Sequence, residues 1–264
     1  MWQPLWSYTW NWYSLPHLQQ ANVRRIREDF MNSDQGFLYP VFSEWTLYDR
    51  IIRLNYMKHQ EIGDSIHSGL LGIRPPLRVV DLGCGCGQMA ARSLKGLKVE
   101  SYLGVDLAPA GLGRIPTHLS SVTQNCETRE SGIVDFLRSE LNWTPNVILA
   151  SFSLHHFECS ELGSILAGIK QKLALDGRFI WVDPVRRSDE SREEFIRRFM
   201  KEIADSWSDL DSSEFQEVEE HITSSDYPLD QIERQRLTES VDFKKEETLY
   251  QDSLFRAEVY VSQR

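Results

Sequence analysis

The stretch Leu77-Arg78-Val79-Val80-Asp81-Leu82-Gly83-Cys84-Gly85-Cys86-Gly87-Gln88-Met89-Ala90 decides the fold of this 264-residue chain. Residues 78–82 form a short apolar run with β-branched side chains, which predicts a strand buried in a parallel sheet. Residues 88–94 predict a helix. Three alternate glycines join the two elements, and glycine lets the backbone turn tightly and lets a ligand approach it. A strand, a glycine turn and a helix predict the nucleotide-binding corner of a doubly wound α/β domain.

This corner fits two cofactor patterns. Residues 85–90 satisfy the GxGxxA form of the dinucleotide fingerprint. Counted from Asp81, the same stretch is the D-x-G-x-G-x-G pattern typical of class I S-adenosylmethionine (SAM)-dependent methyltransferases. Asp81 favours the second pattern, because a carboxylate there can meet a cationic amino acid moiety but would repel a pyrophosphate. Asp106 ends the next predicted strand, residues 101–105, and can accept hydrogen bonds from the ribose of either cofactor.

The length and the net charge of the chain limit which class of protein it can be. A chain of 264 residues suits one α/β domain with additions. The net charge is −10 and the pI is about 5.2, which disfavours a surface that follows phosphates. We therefore expect no nucleic acid partner.

Cysteine usage and hydropathy predict a cytoplasmic protein. The four cysteines form no CxxC pair and no zinc spacing, so the sequence predicts no metal site and a reduced compartment. No apolar stretch is long enough to span a bilayer, so no membrane partner is expected, and the first residues do not resemble a signal peptide.

The chain before the α/β domain is rich in aromatic residues. We expect residues 1–72 to form an aromatic segment with a helical lid, and residues 73–264 to form the main domain. The aromatic segment would pack on the domain as an apolar strap or cover the active site, and residues 42–66 predict one long helix or two. The aromatic side chains of the segment are Trp2, Trp6, Tyr8, Trp10, Trp12 and Tyr13.

Two adjacent histidines, His155 and His156, follow the predicted fourth strand, residues 146–151. Ligands of open α/β sheets sit at the carboxyl ends of the strands, and a histidine there can accept a proton from a nucleophile. We expect one histidine to face the pocket, since neighbours on a strand point in opposite directions, and the other to pack. Asp183 ends the fifth predicted strand, where it would orient a histidine or bind a cationic acceptor.

The remaining elements complete an α/β order. Residues 118–123 predict the third strand, residues 188–240 a helical insertion, and residues 248–250 and 255–261 a closing pair of strands.

Four blocks, residues 79–87, 103–107, 151–157 and 177–183, resemble the class I SAM-dependent methyltransferases, and more narrowly their small-molecule branch. The resemblance implies a Rossmann-like, seven-stranded, mostly parallel sheet with its last strand antiparallel. It also implies SAM as cofactor, S-adenosylhomocysteine as product, and methyl transfer to an O, N, S or C atom of a small molecule.

The resemblance also assigns roles to residues of the corner. The methionine end of SAM would lie against the glycine loop, Asp106 would bind the ribose, and Leu107 would flank the adenine. Ser151 and Phe152 would line the cofactor near the reactive methyl group. The loop residues concerned are Asp81, Gly83, Cys84, Gly85 and Gly87, and the adenine amino group would lie beside Asn125, Cys126 and Glu127.

Other functions stay open at this point. Residues 151–154 lack the Asn/Asp-Pro-Pro-Tyr/Phe motif of enzymes that methylate amino groups of DNA and glutamine, which argues against those substrates. A protein side-chain methyltransferase, an NAD(P)-dependent oxidoreductase and a SAM-binding module without catalysis are the alternatives. Neither the acceptor nor the oligomeric state follows from the sequence.

Overall fold

A computed structural model describes residues 45–262, all of them within one compact unit, Pro40–Arg264. The aromatic segment expected at the amino terminus lies outside the described residues. The helices are α1 Trp45–Arg53, α2 His59–Leu70, α3 Gln88–Ser93, α4 Pro109–Leu112, α5 Ile115–His118, α6 Ile133–Arg138, α7 Cys159–Lys172, α8 Arg192–Ser206, α9 Ser212–Ser225 and α10 Gln231–Ser240. The strands are β1 Leu77–Leu82, β2 Val99–Asp106, β3 Cys126–Glu130, β4 Val147–Ser151, β5 Arg178–Pro184, β6 Phe243–Gln251 and β7 Phe255–Ser262.

The strands form one seven-stranded sheet in the order β3-β2-β1-β4-β5-β7-β6. Strands β1 to β5 are parallel, and β7 runs antiparallel to both of its neighbours. The predicted Rossmann-like sheet with an antiparallel last strand is therefore confirmed. The strand order reverses between β1 and β4, and ligands of open α/β sheets bind in the crevice at such a point.

Strand β1 is central because its side chains enter both layers of the core. Val79 packs in one cluster with Ile62 and Ile66 of α2, whereas Val80 packs in the other with Leu166 of α7. Successive side chains of a strand point to opposite faces, so an uninterrupted apolar strand must be covered on both sides. Helix α2 thus belongs to the same core as the sheet.

The predicted third strand is wrong. Of the predicted residues 118–123, His118 ends helix α5, which has Pro116 in its first turn, and residues 119–122 form turns, with Ile115 and Leu119 fully buried. Proline is favoured in the first turn of a helix, which explains the local choice. The true third strand, residues 126–130, is a mostly exposed edge strand of polar sequence. It therefore carries none of the apolar pattern by which strands are predicted.

The helical parts flank the sheet much as expected. Residues 45–70 form two helices, and left-handed backbone at Asn55 and Lys58 separates them. Helices α8, α9 and α10 occupy the chain between β5 and β6. The domain boundary at residue 72 stays a prediction. None of the helices within residues 45–262 is both long and apolar enough to cross a membrane.

The carboxylate of Glu258, in β7, is buried and paired with basic side chains of α10, β6 and β7. Glu258 is fully buried, and its oxygens lie 3.0 Å from Arg234 Nε, 3.3 Å from Lys245 Nζ and 3.4 Å from Arg256 Nη1. Arg234 also lies over the ring of Trp181, 4.0 Å from its centroid. A buried charge is stable only when it is paired, so this cluster is a point of high sensitivity.

We expect Glu258→Gln to lower the free energy of unfolding by about 3 kcal/mol, because Arg234 then remains buried without its counter-charge. Urea unfolding followed by circular dichroism measures the loss. The matched control is Glu246→Gln, which removes an exposed partner of Arg178 and should cost less than about 1 kcal/mol. Equal effects of the two variants would contradict the prediction.

Candidate active site

The glycine loop after β1 has a conformation that requires glycine. Gly83, Gly85 and Gly87 have φ angles of 67°, 53° and 76°, in the left-handed region that side chains disfavour. A Cβ atom at residue 83 would lie 2.4 Å from the Cβ of Ser153. The backbone N–H groups of Gly83 and Cys84 donate to Val105 O at 2.8 and 3.1 Å. The loop is thereby held tightly between the ends of β2 and β4.

Asp106 at the end of β2 fastens the loop from the other side. Its Oδ2 accepts a hydrogen bond from Gly85 N at 2.8 Å, and its Oδ1 accepts one from Ala108 N at 2.8 Å. Burial raises the pKa of Asp106, and the backbone donors offset part of that rise. Leu107 follows directly and lies near Gly132 at the start of α6. The predicted ribose ligand therefore also shapes the loop.

Asp81 lies inside the sheet with a partner that the sequence did not indicate. The carboxylate is buried, and its Oδ2 accepts a hydrogen bond from the Tyr102 hydroxyl at 2.8 Å. Burial raises the pKa of Asp81 to about 7, although the bond from Tyr102 works in the opposite direction. The charge of this residue is therefore sensitive to pH and to any cation that binds beside it.

The raised pKa makes a prediction about stability. The Asp81 carboxyl keeps its proton up to about pH 7 in the folded chain but only to about pH 3.9 when unfolded. Its contribution to the free energy of unfolding is therefore present at low pH and falls by about 1.4 kcal/mol per pH unit on the way to pH 7.

Asp81→Asn removes this titration and keeps an acceptor for Tyr102. We expect the variant to gain roughly 2 kcal/mol on the wild type between pH 5 and pH 7, measured by urea unfolding at each pH. Parallel stability curves for the two proteins would show that the prediction is wrong.

Helices α1 and α2 place aromatic side chains beside the loop. Burial of the Tyr48 hydroxyl raises its pKa, and the nearby Cys86, Asp106 and Asp81 add to that effect. The Tyr48 ring meets His59 edge-on at 6.2 Å between centroids, and His59 lies 5.1 Å from Phe152. Burial lowers the pKa of His59 to about 4, so this ring is neutral at pH 7.

The end of β4 lies beside the glycine loop. Phe152 adopts left-handed backbone with φ of 55°, and its N–H donates to Val182 O at 2.8 Å. Ser151 Oγ is buried and makes no hydrogen bond with any residue of the described part of the chain. A buried hydroxyl without a partner is costly, so this atom is available to a ligand in the crevice.

The structure does not bring Asn125, Cys126 and Glu127 to this corner. Cys126 and Glu127 begin β3 and pair in register with Tyr102 and Leu103, whereas Asp106 pairs with Glu130. The amino-terminal ends of parallel strands lie on one side of a sheet and their carboxyl-terminal ends on the other. These three residues therefore lie on the amino-terminal side, opposite Asp106. Their predicted position beside the adenine followed from the misplaced third strand and is corrected here. Ser131 stands next to Asp106 instead, donating its N–H to Asp106 O at 2.9 Å.

The two histidines lie in a 3₁₀ turn, Leu154–His156, just beyond β4. His155 Nδ1 lies 2.7 Å from Asp183 Oδ1, and Trp181 Nε1 donates to Asp183 Oδ2 at 2.5 Å. His155 Nε2 points at a second carboxylate, Asp226 Oδ1, at 3.6 Å. Burial lowers the pKa of His155, but the Asp226 and Asp183 carboxylates outweigh it and raise the pKa overall. The pairing of Asp183 with a histidine was anticipated, whereas Asp226 was not.

His156 occupies a different environment from its neighbour. Its side chain is 24% exposed against 6% for His155. The expectation that one histidine faces the pocket stays a prediction. The two side chains differ in environment because they lie in a 3₁₀ turn, and not because neighbouring residues of a strand point to opposite faces. His156 Nδ1 lies 3.2 Å from Ser225 O and 3.4 Å from Asp226 Oδ1. His221 and Asp226 of the α9 region join this cluster without any signal in the sequence, because they are far along the chain.

Comparison with known proteins agrees with this geometry. Residues 80–179 match the family model of a methyltransferase domain. No curated protein matches the sequence. An O-methyltransferase family protein from Burkholderia thailandensis is structurally similar, with 13% identity and a TM-score of 0.60 over 93% of this chain and 69% of that one.

Two further solved structures share the fold. The magnesium protoporphyrin IX methyltransferase from Synechocystis PCC 6803, with bound S-adenosylhomocysteine, is 15% identical, with a TM-score of 0.55 over 92% of this chain and 95% of that one. An O-methyltransferase family 2 protein from Planctomyces limnophilus, in complex with apigenin, is 12% identical. Its TM-score is 0.58 over 81% of this chain and 61% of that one.

The chain therefore has the fold of class I SAM-dependent methyltransferases, and its residues 80–179 match the model of a methyltransferase domain. The fold predicted from the glycine loop is confirmed.

Proposed function

We propose that this protein transfers a methyl group from SAM to a small-molecule acceptor. The observation that carries the proposal is the corner itself: a left-handed glycine loop after β1, fastened by Asp106, at the reversal point of the sheet. A glycine loop that lets a ligand approach the backbone closely is characteristic of cofactor sites at the carboxyl ends of parallel strands.

The chemistry of the corner fits SAM better than a dinucleotide. Asp81 offers a carboxyl group for the cationic amino acid end, and Asp106 offers acceptors to the ribose hydroxyls. A pyrophosphate next to Asp81 would be repelled, because like charges at short distance in a buried site are strongly unfavourable, whereas Asp106 suits the ribose of either cofactor. Ser151 Oγ, which is buried without a hydrogen-bond partner in the described chain, adds a donor at the end of β4.

The chain contributes mainly alignment and the exclusion of water. When bound, SAM supplies an electrophilic methyl group, and an electron pair of the acceptor displaces the sulfide from it. The buried ring of Phe152 and the helices α1 and α2 enclose the corner on one side. Holding two reactants in line in a dry site accounts for a large part of the acceleration that such a displacement needs.

The proposed roles of His155, His156 and Asp183 follow from their contacts. His155 faces Asp183 with one nitrogen and Asp226 with the other, so it acts as a positioning residue at the acceptor side. The more exposed His156 borders the space beyond β4. Any acceptor deprotonation would fall to this histidine cluster.

A small-molecule acceptor is favoured over a macromolecule. Helices α8 and α9 are inserted between β5 and α10, and the carboxyl end of α9 contacts the histidines on the proposed acceptor side. We call these two helices the roof, and a roof over the site suits an enclosed acceptor. The net charge of −10 disfavours a nucleic acid. A protein side chain as acceptor is the alternative that the test below separates, and cytoplasmic location stays a prediction.

We expect isothermal titration calorimetry to show SAM binding of micromolar strength, about −8 kcal/mol. Asp106→Ala should weaken binding at least tenfold, because it removes the ribose acceptor and releases the Gly85 amide. The control Asp205→Ala removes an exposed acid of α8 that is paired with Lys201, and should bind as the wild type does. Binding of NAD together with no binding of SAM would refute the proposal.

A second measurement addresses the acceptor class. Incubation of the protein and SAM labelled in the methyl group with a whole-cell extract, followed by separation by size, should place the label in the small-molecule fraction. Heat-inactivated protein is the control. Label that appears mainly on proteins would favour the protein side-chain methyltransferase instead.

A further inference from the structure

Asp226, the residue that caps the carboxyl end of α9, lies among three imidazole rings. Its Oδ1 is 3.4 Å from His156 Nδ1, 3.6 Å from His155 Nε2 and 3.8 Å from His221 Nε2. Asp226 is 2% exposed. The three histidines come from two places in the chain, the 3₁₀ turn after β4 and the body of α9, so only the fold assembles them.

Two of the three contacts of Asp226 Oδ1, those with His155 and His221, are longer than 3.5 Å, and in the third the His156 Nδ1 atom is paired with Ser225 O. Asp226 Oδ1 is buried and accepts no hydrogen bond from any of residues 45–262. A buried acceptor of this kind is costly unless something else fills its coordination. One ligand atom from each of His155, His156 and Asp226 lies within 4.8 Å of the others, which leaves room for an ion between them.

We propose that His155 Nε2, His156 Nδ1 and Asp226 Oδ1 bind a divalent transition-metal ion of the zinc class, with His221 Nε2 as the fourth side chain in reach. Binding would require His156 to carry its proton on Nε2 and to give up the 3.2 Å contact of Nδ1 with Ser225 O. Imidazole nitrogens with one carboxylate are a ligand set that zinc accepts in tetrahedral geometry. Ligand atoms of such an ion, with bonds of about 2.0–2.1 Å, lie about 3.3–3.4 Å apart. The separations from Asp226 Oδ1 are near this value and require only a small contraction.

The surroundings of His155 match those of a metal ligand. Asp183 Oδ1 lies 2.7 Å from His155 Nδ1, so that nitrogen carries the proton and Nε2 is left with its lone pair toward the ion. Trp181 Nε1 in turn donates to the other oxygen of Asp183. A carboxylate that orients a ligating histidine through its second nitrogen is a common outer contact of zinc sites.

The donor set also argues against harder cations. Magnesium and calcium prefer sites made of oxygen atoms, whereas this cluster offers nitrogen atoms and one carboxylate. The same atoms without a metal would form a cluster in which Asp226 and Asp183 are paired with His155. The two possibilities differ in a direct way, because only the first binds one metal ion per chain.

The position of the cluster suggests what the ion does. It would join the carboxyl end of α9 to the turn after β4, next to the end of β5, at the edge of the sheet where the acceptor is proposed to bind. An ion there holds the roof helix against the sheet. A bound ion would occupy the lone pairs of His155 Nε2 and His156 Nδ1, so these atoms could not also serve as the base for an acceptor. The test of the metal site uses neither SAM nor an acceptor.

The experiment uses the full chain without a histidine tag, dialysed against a chelator and then against buffer. Titration calorimetry with Zn²⁺ should show one ion per chain, and Co²⁺ should give the visible absorption bands of a tetrahedral site. Asp226→Asn and His156→Gln should each weaken Zn²⁺ binding at least tenfold, because each removes one ligand atom. Elemental analysis of the wild type after loading and gel filtration checks the stoichiometry.

The control is His67→Gln, which changes a partly buried histidine of α2 whose Nδ1 contacts Ser93 O and leaves the cluster intact. It should bind Zn²⁺ as the wild type does, and Zn²⁺ should raise the melting temperature of both by the same amount. If Asp226→Asn fails to fold, the more exposed His156→Gln still decides. Absence of stoichiometric binding, or binding that survives in the folded cluster variants, would overturn the proposal.

Discussion

The absence of a side chain at residue 83 is the constraint on which the corner depends. Strands β1 and β4 are neighbours, and the loop after β1 passes so close to the residue after Phe152 that a Cβ at position 83 would lie 2.4 Å from that of Ser153. This approach, together with left-handed backbone at Gly85 and Gly87, turns the chain under the Asp106 carboxylate. The crevice between the two strands exists because the loop is pinned on both sides.

Three buried polar pairs connect the strands and helices around the sheet. Asp81 with Tyr102, His155 with Asp183, and Glu258 with Arg234 are each satisfied inside a largely apolar core. Trp181 connects two of these pairs, since its Nε1 donates to Asp183 and its ring lies under Arg234. A buried polar group must find a partner to be tolerated, so these pairs fix how β2, β5, β7 and α10 meet. The proposed acceptor side is therefore built on a rigid frame.

The comparison of sequence with structure separates two kinds of signal. β1, the glycine loop and Asp106 were predictable, because apolar runs and glycine spacing are local properties. Strand β3 was not, since it lies at the edge and shows side chains such as Glu127 to solvent, and an edge strand needs no apolar face. Because the third strand was misplaced, Asn125, Cys126 and Glu127 were predicted beside the adenine, although they lie at the opposite ends of the strands. Ser131 is the residue next to Asp106.

By itself, the sequence determined the α/β class, the glycine-loop corner and the presence of histidines after β4, because each follows from residues adjacent in the chain. Only the tertiary structure decided what those histidines touch. Asp226 and His221 reach them from α9, and Tyr102 reaches Asp81 from the next strand. Contacts between residues far apart in the chain depend on how the elements pack, and no local pattern of side chains encodes that packing.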